Sequence, residues 1–535
     1  MGELRTLPRA LAEAALTDHG YTFITAGAEV RRSYADIQER ALRVARSLRE
    51  AGLRRGDLVA IVVGEAEQFL TTLFGASIAG LIPASLYPPA TMGDLEAYLQ
   101  LTSGVLRSAC ARAVVTTAAL AAGFDELRST CPDLVLVVTW DGLDAPALRP
   151  DPWPSLDDIA FVQYTSGSTS APKGVALTHR NLAANVEAIN GPAGLAVTPD
   201  DVGVSWLPLY HDMGLVGMTL GPVYSGRPAA LLAPHMFVKR PAEWLKAIAR
   251  HRGTVSFAPN FAYELVVRRI KDSELDDLDL SSWRIAGCGA EPIHPPTLAA
   301  FAERLAGTGF RATSFFPSYG LAEHVLAATL SVPNRPLRVE QVDGSSTALV
   351  SCGRALPGHA IRIVGEDGRP VEAGTVGEIT LAGPSVMVGY YKEDALTAQT
   401  IRDGWLYTGD LGYLSDGELF VCGRVKDIII VNGRKYHPQD LEWAVQDVAG
   451  IRRGRVVAFG ATGRGLPDRV VVVLEATGAV HPDTVTDAVR RRVSDVIGLY
   501  VDDVVPVPSG VIGRTTSGKI QRAAMKARYE DGPFR

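Results

Sequence analysis

Little in this chain suits a disulfide-built, membrane-spanning or nucleic-acid-coating protein. Of 535 residues only five are cysteine (Cys110, Cys131, Cys288, Cys352, Cys422), scattered without Cys-x-x-Cys or other metal spacing. That pattern suits a reducing, cytoplasmic location better than a disulfide framework. Positive charge is not in excess: 53 Lys and Arg stand against 59 Asp and Glu, a net charge of −6, so no broad basic field offers itself to nucleic acid. The N-terminal stretch MGELRTLPRALAEAALTDHGYTF lacks the long apolar core of a signal peptide. The most membrane-like run, residues 69–89, carries Thr71, Thr72, Gly75, Gly80 and Pro83 and lacks charged flanks. It reads as a buried helix followed by a strand, so no membrane insertion is expected. No internal repeat and no low-complexity segment is present.

What is there is globular: 47% of residues are hydrophobic and 21% charged, and the length predicts two or more domains. Ser33 followed by Asp36 reads as a capping box, and Tyr34, Ile37, Ala41, Val44 and Leu48 follow at helical spacing. GDLVAIVV (56–63) reads as a buried strand, followed by helices near 181–189 and 241–251 and strands Ala229–Leu232 and Val255–Ala258. This alternation predicts parallel, doubly wound α/β sheets. After about Gly353 the texture changes to short alternating strands with Gly turns, HAIRIV, VGEITLAG and LGYLSDGELFVCG, a β-rich subdomain. From about Gly423 a small α+β unit is expected: a Pro438-initiated helix with Leu441, Ala444, Val445 and Val448 inward, the strand Arg469–Ala476, and a helix marked by Val485, Val489, Val493 and Val496. The domains are therefore drawn at 1–423 and 424–535.

The stretch YTSGSTSAPKG (164–174) places glycines, Ser and Thr hydroxyls and one lysine between two strand-like flanks, DIAFVQ and VALTHRN. Such a loop can aim backbone N–H groups and hydroxyls at phosphate, with Lys173 as the charge. It is not a Walker A loop, because Lys173 is followed by Gly174 and Val175 rather than Ser or Thr. An ordinary surface turn uses the same residue types. The stretch does not stand alone. SYGLAEH (318–324), LYTGDLG (406–412), GRVKDIIIVNGRKYHPQDLE (423–442) and TTSGKIQR (515–522) follow it in order. Together the five resemble the motifs of the adenylate-forming superfamily: acyl-CoA synthetases, nonribosomal adenylation domains, luciferases and fatty acyl-AMP ligases. SWLPLYHDMGLVG (205–217), PNFAYEL (259–265), LDLSSWRIA (278–286) and GAEPI (289–293) give the chain its strongest resemblance to fatty acyl-AMP ligases.

The resemblance implies a large N-terminal domain of two α/β subdomains plus the β-rich one, a small mobile C-terminal domain, and an ATP- and Mg²⁺-dependent, AMP-forming ligase. Thr165, Ser166, Gly167, Ser168, Thr169 and Lys173 would cradle the β- and γ-phosphates. Glu323 would hold Mg²⁺, a hard cation suited to carboxylate and phosphate oxygens. Gly289, Ala290, Glu291, Pro292, Tyr319 and Gly320 would frame the adenine. Asp410 would accept from the ribose hydroxyls, with Arg424 adding donors. Lys519, between Gly518 and Ile520 in TTSGKIQR, would act with Lys173 and Glu323 in catalysis, reaching the acid and the α-phosphate from the C-terminal domain. Lys426 would mark the hinge about which that domain rotates between adenylation and transfer.

The acid pocket is expected from His211, Asp212, Met218, Asn260, Phe261, Cys288 and Ser318. Met218 and Cys288 depart from the pattern of fatty acyl-AMP ligases. Met218 either fills core volume or shortens the tunnel, which would favour a small or aryl acid. An insertion those ligases carry is shortened or absent within 330–352. The acceptor therefore stays open between an acyl carrier protein thiol, which is preferred, and coenzyme A. Two further readings are a relative that adenylates a small oxyacid such as nitrite for transfer to an amine, and a non-catalytic nucleotide-binding relative. Retention of Lys173, Glu323, Asp410 and Lys519 counts against the last.

Overall fold

The computed structural model describes residues 3–89, 95–147, 153–165, 172–341, 348–431, 433–461, 469–514, 519–532 and 534. Two large sheets dominate. One has seven strands in the order Gly389–Tyr390, Lys173–Thr178, Ile159–Thr165, Ile82–Ser85, Leu58–Val62, Ala113–Thr116, Leu136–Thr139. Its last five run parallel, and the two at the Gly389–Tyr390 edge are antiparallel. The other has nine strands and a parallel core from Gly20–Thr25 through Ala229–Leu232, Gly203–Ser205, Val255–Ala258 and Ile285–Cys288 to Phe315–Gly320. The expected doubly wound α/β architecture is present, with antiparallel strands added at the edges.

Local signals account for much of this. Ser33 Oγ accepts from the Asp36 N–H at 3.1 Å and Asp36 Oδ2 accepts from the Ser33 N–H at 2.8 Å, so helix Tyr34–Glu50 starts with the predicted capping box. Tyr34, Ile37, Ala41, Val44 and Leu48 form its buried face. It crosses helix Ala66–Ile78, in which every residue from Phe69 to Ile78 is buried, as expected of a helix covered all round. At the crossing, a Cβ on Gly75 would lie 2.6 Å from Val44 Cγ1 and 2.8 Å from the Ala41 carbonyl. Only glycine permits that approach. Among the described residues no helix is long and apolar enough to cross a membrane.

One sequence expectation shifts. The flank read as VALTHRN ends as a strand at Thr178, because the Thr178 hydroxyl caps the next helix, accepting from the Asn181 N–H at 3.1 Å. The helix therefore runs His179–Asn190. The β-rich layer pairs Ala360–Val364, Gly377–Ala382, Trp405–Ser415 and Glu418–Arg424 antiparallel. Beyond it, strands Ile451–Ala461, Arg469–Ala476 and Asp503–Val507 and helices Pro438–Val445 and Pro482–Ile497 bury two cores of their own, around Leu441, Val472 and Val489 and around Val457, Val471 and Met525.

Candidate active site

Several candidate residues lie at or just after the ends of the parallel strands, Thr165, Gly289 and Gly320 among them. Strand Ile159–Thr165 and its return Lys173–Thr178 pair so that Thr165 faces Lys173. Lys173 thus opens the return strand instead of sitting at the loop tip. Ser166, Gly167, Ser168 and Thr169 lie outside the described residues. Gly389–Tyr390 adds an edge to the return strand, with Tyr390 opposite Val175. The Lys173 ammonium stands 5.2 Å from the centre of the Tyr390 ring, and the Tyr390 hydroxyl donates to Glu323 Oε1 at 2.9 Å. The Met387 N–H donates to the Glu323 carbonyl at 2.9 Å, fixing the same segment to the glutamate's backbone. Nothing in MVGYYK announces Tyr390 as part of this site; only the edge pairing reveals it.

Glu323 sits in the single turn Ala322–His324 after strand Phe315–Gly320. Burial raises its carboxyl above the usual range, the carboxylates of Asp212 and Asp410 add to this, and the Tyr390 hydroxyl acts against it. A carboxylate oxygen suits a hard divalent cation, although among the described residues no group of three or more His, Cys, Asp or Glu side chains is placed to hold one. From the same strand, the Tyr319 hydroxyl donates to Asp410 Oδ2 at 2.8 Å, while Arg424 Nε donates to Asp410 Oδ1 at 3.0 Å from the register partner of Asp410 on the neighbouring strand. A carboxylate with two such donors keeps acceptor capacity on both oxygens for a vicinal diol.

Lys519, flanked by Ser517 and Gly518 outside the described residues, enters this site from the C-terminal unit. Burial and the nearby Arg424 guanidinium pull its ammonium below the usual lysine range, while Asp212, Asp410 and Glu291 act in the opposite sense. One cation from one unit therefore stands among carboxylates from three segments of the other.

Residues 11–391 match the family described as AMP-binding enzyme. The chain belongs to that family. It is an ATP-dependent ligase that forms an acyl adenylate. Among the relatives of this adenylate-forming enzyme, a Caulobacter vibrioides protein named as a candidate acyl-CoA synthetase is 36% identical over 99% of this chain and 96% of its own length. A medium-chain fatty acid–[acyl-carrier-protein] ligase of Moorena producens is 34% identical over 94% of this chain and 90% of its own. Among solved structures, one from a study of fatty acyl-adenylate ligases of E. coli and L. pneumophila aligns with a TM-score of 0.91 at 35% identity, covering 98% of each chain.

The remaining expected residues of the adenylate-forming enzyme fall into two groups. Gly289, Ala290, Glu291 and Pro292 follow strand Ile285–Cys288, and Gly320 ends the neighbouring strand Phe315–Gly320. A Cβ on Gly289 would lie 2.8 Å from both the carbonyl and the hydroxyl of Ser318, so the two strand ends touch there. Ala290 takes φ 68°, a left-handed turn that carries Glu291 back to accept from the Phe261 N–H at 2.5 Å. Burial raises the Glu291 carboxyl, against that N–H and the charges of Arg514 and Lys519. Asn260 Oδ1 accepts from the His294 N–H at 3.0 Å. His211 Nδ1 lies 2.7 Å from Asp212 Oδ1, and against the effect of burial that imidazole holds the Asp212 carboxyl below its usual range. Asp212 also accepts from the N–H of Met213, which opens the π-helix Met213–Leu220. Such helices recur at functional sites.

Two expected pocket residues are packed in the core. Met218 is 2% exposed, with its methyl group 3.7 Å from where a Gly203 Cβ would stand, beside Pro222. Gly203 begins its strand, so this side chain points away from the strand ends that carry the site. Cys288 is fully buried, and burial, with Glu291 and Cys352 nearby, pushes its thiol far above the usual range. It is an inert packed thiol. Lys426 is exposed in the turn Val425–Asp427 directly after Arg424.

Proposed function

We propose that this enzyme, with ATP and Mg²⁺, activates a carboxylic acid and loads it onto the thiol of an acyl carrier protein in the cytoplasm. In the first step a carboxylate oxygen bonds to the α-phosphorus and the bond from that phosphorus to the α,β-bridging oxygen breaks, releasing pyrophosphate. Both reactants are anions, so positioned cations must offset their repulsion. Lys519 is assigned to the carboxylate and α-phosphate, and Lys173 to the β- and γ-phosphates with Thr165 and the hydroxyl loop. Asp410 and Arg424 are assigned to the ribose, and Glu323 to the metal. Mg²⁺, when bound, would neutralise phosphate charge. In the second step the thiol sulfur bonds to the acyl carbon, its proton is lost and AMP leaves. Rotation of 424–535 against 1–423 about Lys426 would expose the adenylate to the acceptor.

The observation that carries this reading is the pairing of Asp410 with Tyr319 and Arg424, together with that of Glu323 with Tyr390, whose ring also faces the Lys173 ammonium. The carrier-protein acceptor is supported by the Moorena producens relative. Coenzyme A is the second reading, favoured by the brevity of 330–352. There strands Val339–Gln341 and Ala348–Val350 pair antiparallel, and Arg338 beside them reaches Ser415 and Asp416 of the β-rich layer. The test is mass spectrometry of reactions with ATP, Mg²⁺ and acids from nitrite and benzoate to long-chain fatty acids, with a phosphopantetheinylated carrier protein or coenzyme A. Acyl-carrier protein without acyl-CoA is expected. Acyl-CoA as the main product would replace the acceptor, and AMP formation with nitrite alone would replace the acid.

A further inference from the structure

The C-terminal unit buries its own two cores, so its seam with the large unit consists of specific polar and ring contacts. Helix Asn260–Arg269 lies on that seam. Its first turn faces the site through the Phe261 N–H on Glu291 and through Asn260 on His294. One turn later Glu264, 17% exposed, lies 3.4 Å from Arg453 Nε of the C-terminal unit, and Arg268 donates to the Arg453 carbonyl at 3.5 Å. Asp447, on Arg453's own unit, lies 3.3 Å from the same nitrogen. Beside this pair the His294 and Trp443 rings meet with centres 4.8 Å apart.

The seam leads to the lysine. Gly454, next to Arg453, takes φ +69°, and a Cβ there would lie 3.9 Å from Glu264 Oε2 and 3.5 Å from Arg514 Nη2. Arg514 donates to the Gly454 carbonyl and forms an isolated bridge with Ile520, while the Gln521 N–H donates to the Gly513 carbonyl at 3.0 Å. The chain on either side of Lys519 is thereby paired, Arg514 with Ile520 and Gly513 with Gln521, and tied through Arg514 to the Gly454 turn beside Glu264.

We propose that Glu264 and His294 of the large unit, with Arg453 and Trp443 of the C-terminal unit, form a clasp that positions Lys519 for adenylation. These are positioning residues acting through Lys519, and the clasp rests on the reading of that lysine as catalytic. Because the gripping helix also carries Asn260 and Phe261, a single element touches the expected acid pocket and the lysine-bearing unit. His294 supports the arrangement: burial and the adjacent Arg453 push its imidazole down to about 4, so the clasp operates with a neutral ring. Removing Glu264 takes away the ion-pair contact that crosses between the units, while Asp447 on Arg453's own unit remains.

The test uses full-length Glu264→Gln, Glu264→Arg, Arg453→Glu and the Glu264→Arg/Arg453→Glu double variant, with Lys519→Ala as reference. Acid-dependent ATP–pyrophosphate exchange is measured with benzoate, octanoate and dodecanoate, and backbone hydrogen exchange is followed in the acid-free protein. The single variants are expected to lower kcat toward the ~10²-fold loss of a mispositioned catalytic group, with KM for ATP and the thermal midpoint little changed. They should also speed hydrogen exchange in Asn260–Arg269 and Pro438–Val445. The charge-swapped double should recover part of the loss, limited because the new glutamate at position 453 faces Asp447 and the new arginine at position 264 faces Arg268. Wild-type kcat in the single variants, or unaltered hydrogen exchange at the seam, overturns the clasp, as does a double variant no better than the singles. Lys519→Ala exchanging at the wild-type rate overturns the reading of the lysine, and the clasp with it.

Discussion

Tyr390 joins the two charges that the sequence motifs supply separately. Its hydroxyl holds Glu323 and its ring underlies the Lys173 ammonium. Partners that orient a metal-binding carboxylate commonly contribute 10- to 100-fold to metal affinity, so Tyr390→Phe should raise the Mg²⁺ concentration for half-maximal activity about 10-fold. Glu323→Gln should raise it further. A magnesium titration coinciding with wild type for both would remove Glu323 from the metal. Glu323, Asp410, Lys173 and Lys519 stand out in the sequence because motifs carry them in chain order. Tyr390 and Arg514 do not, since their positions depend on an edge pairing and on a seam between units, which leave no local signal. Met218 and Cys288 stood out in sequence by departing from a pattern, but which way a side chain points from its strand or helix is decided by packing.

At the scale of elements, the helices with a capping residue and a 3.6-residue apolar repeat were readable, as Ser33–Asp36 and the buried face of Tyr34–Glu50 illustrate. The crossing of that helix with Ala66–Ile78 was not, because Gly75 in an apolar run signals only permissiveness. Helix propensity and packing predict opposite signs for Gly75→Ala. Propensity alone would stabilise by about 1 kcal/mol. A methyl group 2.8 Å from the Ala41 carbonyl must displace backbone, and overpacking of this kind typically costs about 1–3 kcal/mol. A lower denaturation midpoint is therefore expected, and a raised one would mean that the two helices can separate freely.

Over the whole molecule, buried imidazoles contribute to the response to acid, and three are shifted furthest. Burial pushes His179 and His294 down to about 4 and His324 to about 3. Unfolded histidine titrates near 6.5, so below that pH the unfolded chain binds protons that the folded chain refuses. The stability associated with these neutral rings is complete above about pH 6.5 and is lost progressively as pH falls toward 4. Thermal midpoints at about pH 7.5 and about pH 5 should differ, the acid value being lower; equal midpoints would contradict the assigned neutrality.

The α/β alternation and the late β-rich and α+β segments were visible in composition and spacing. The order of strands within each sheet was not, because strands distant in sequence become neighbours there. The central claim is that the Lys519 unit and the large unit together make an acyl adenylate. The most direct measurement is mass spectrometry of wild type and Lys519→Ala after incubation with ATP, Mg²⁺ and the acid panel, without acceptor. Acyl-AMP accumulating in wild type and reduced at least ~10²-fold in Lys519→Ala, with ATP binding retained, is the predicted result. Equal acyl-AMP in both proteins, or none with any acid in wild type, would contradict it.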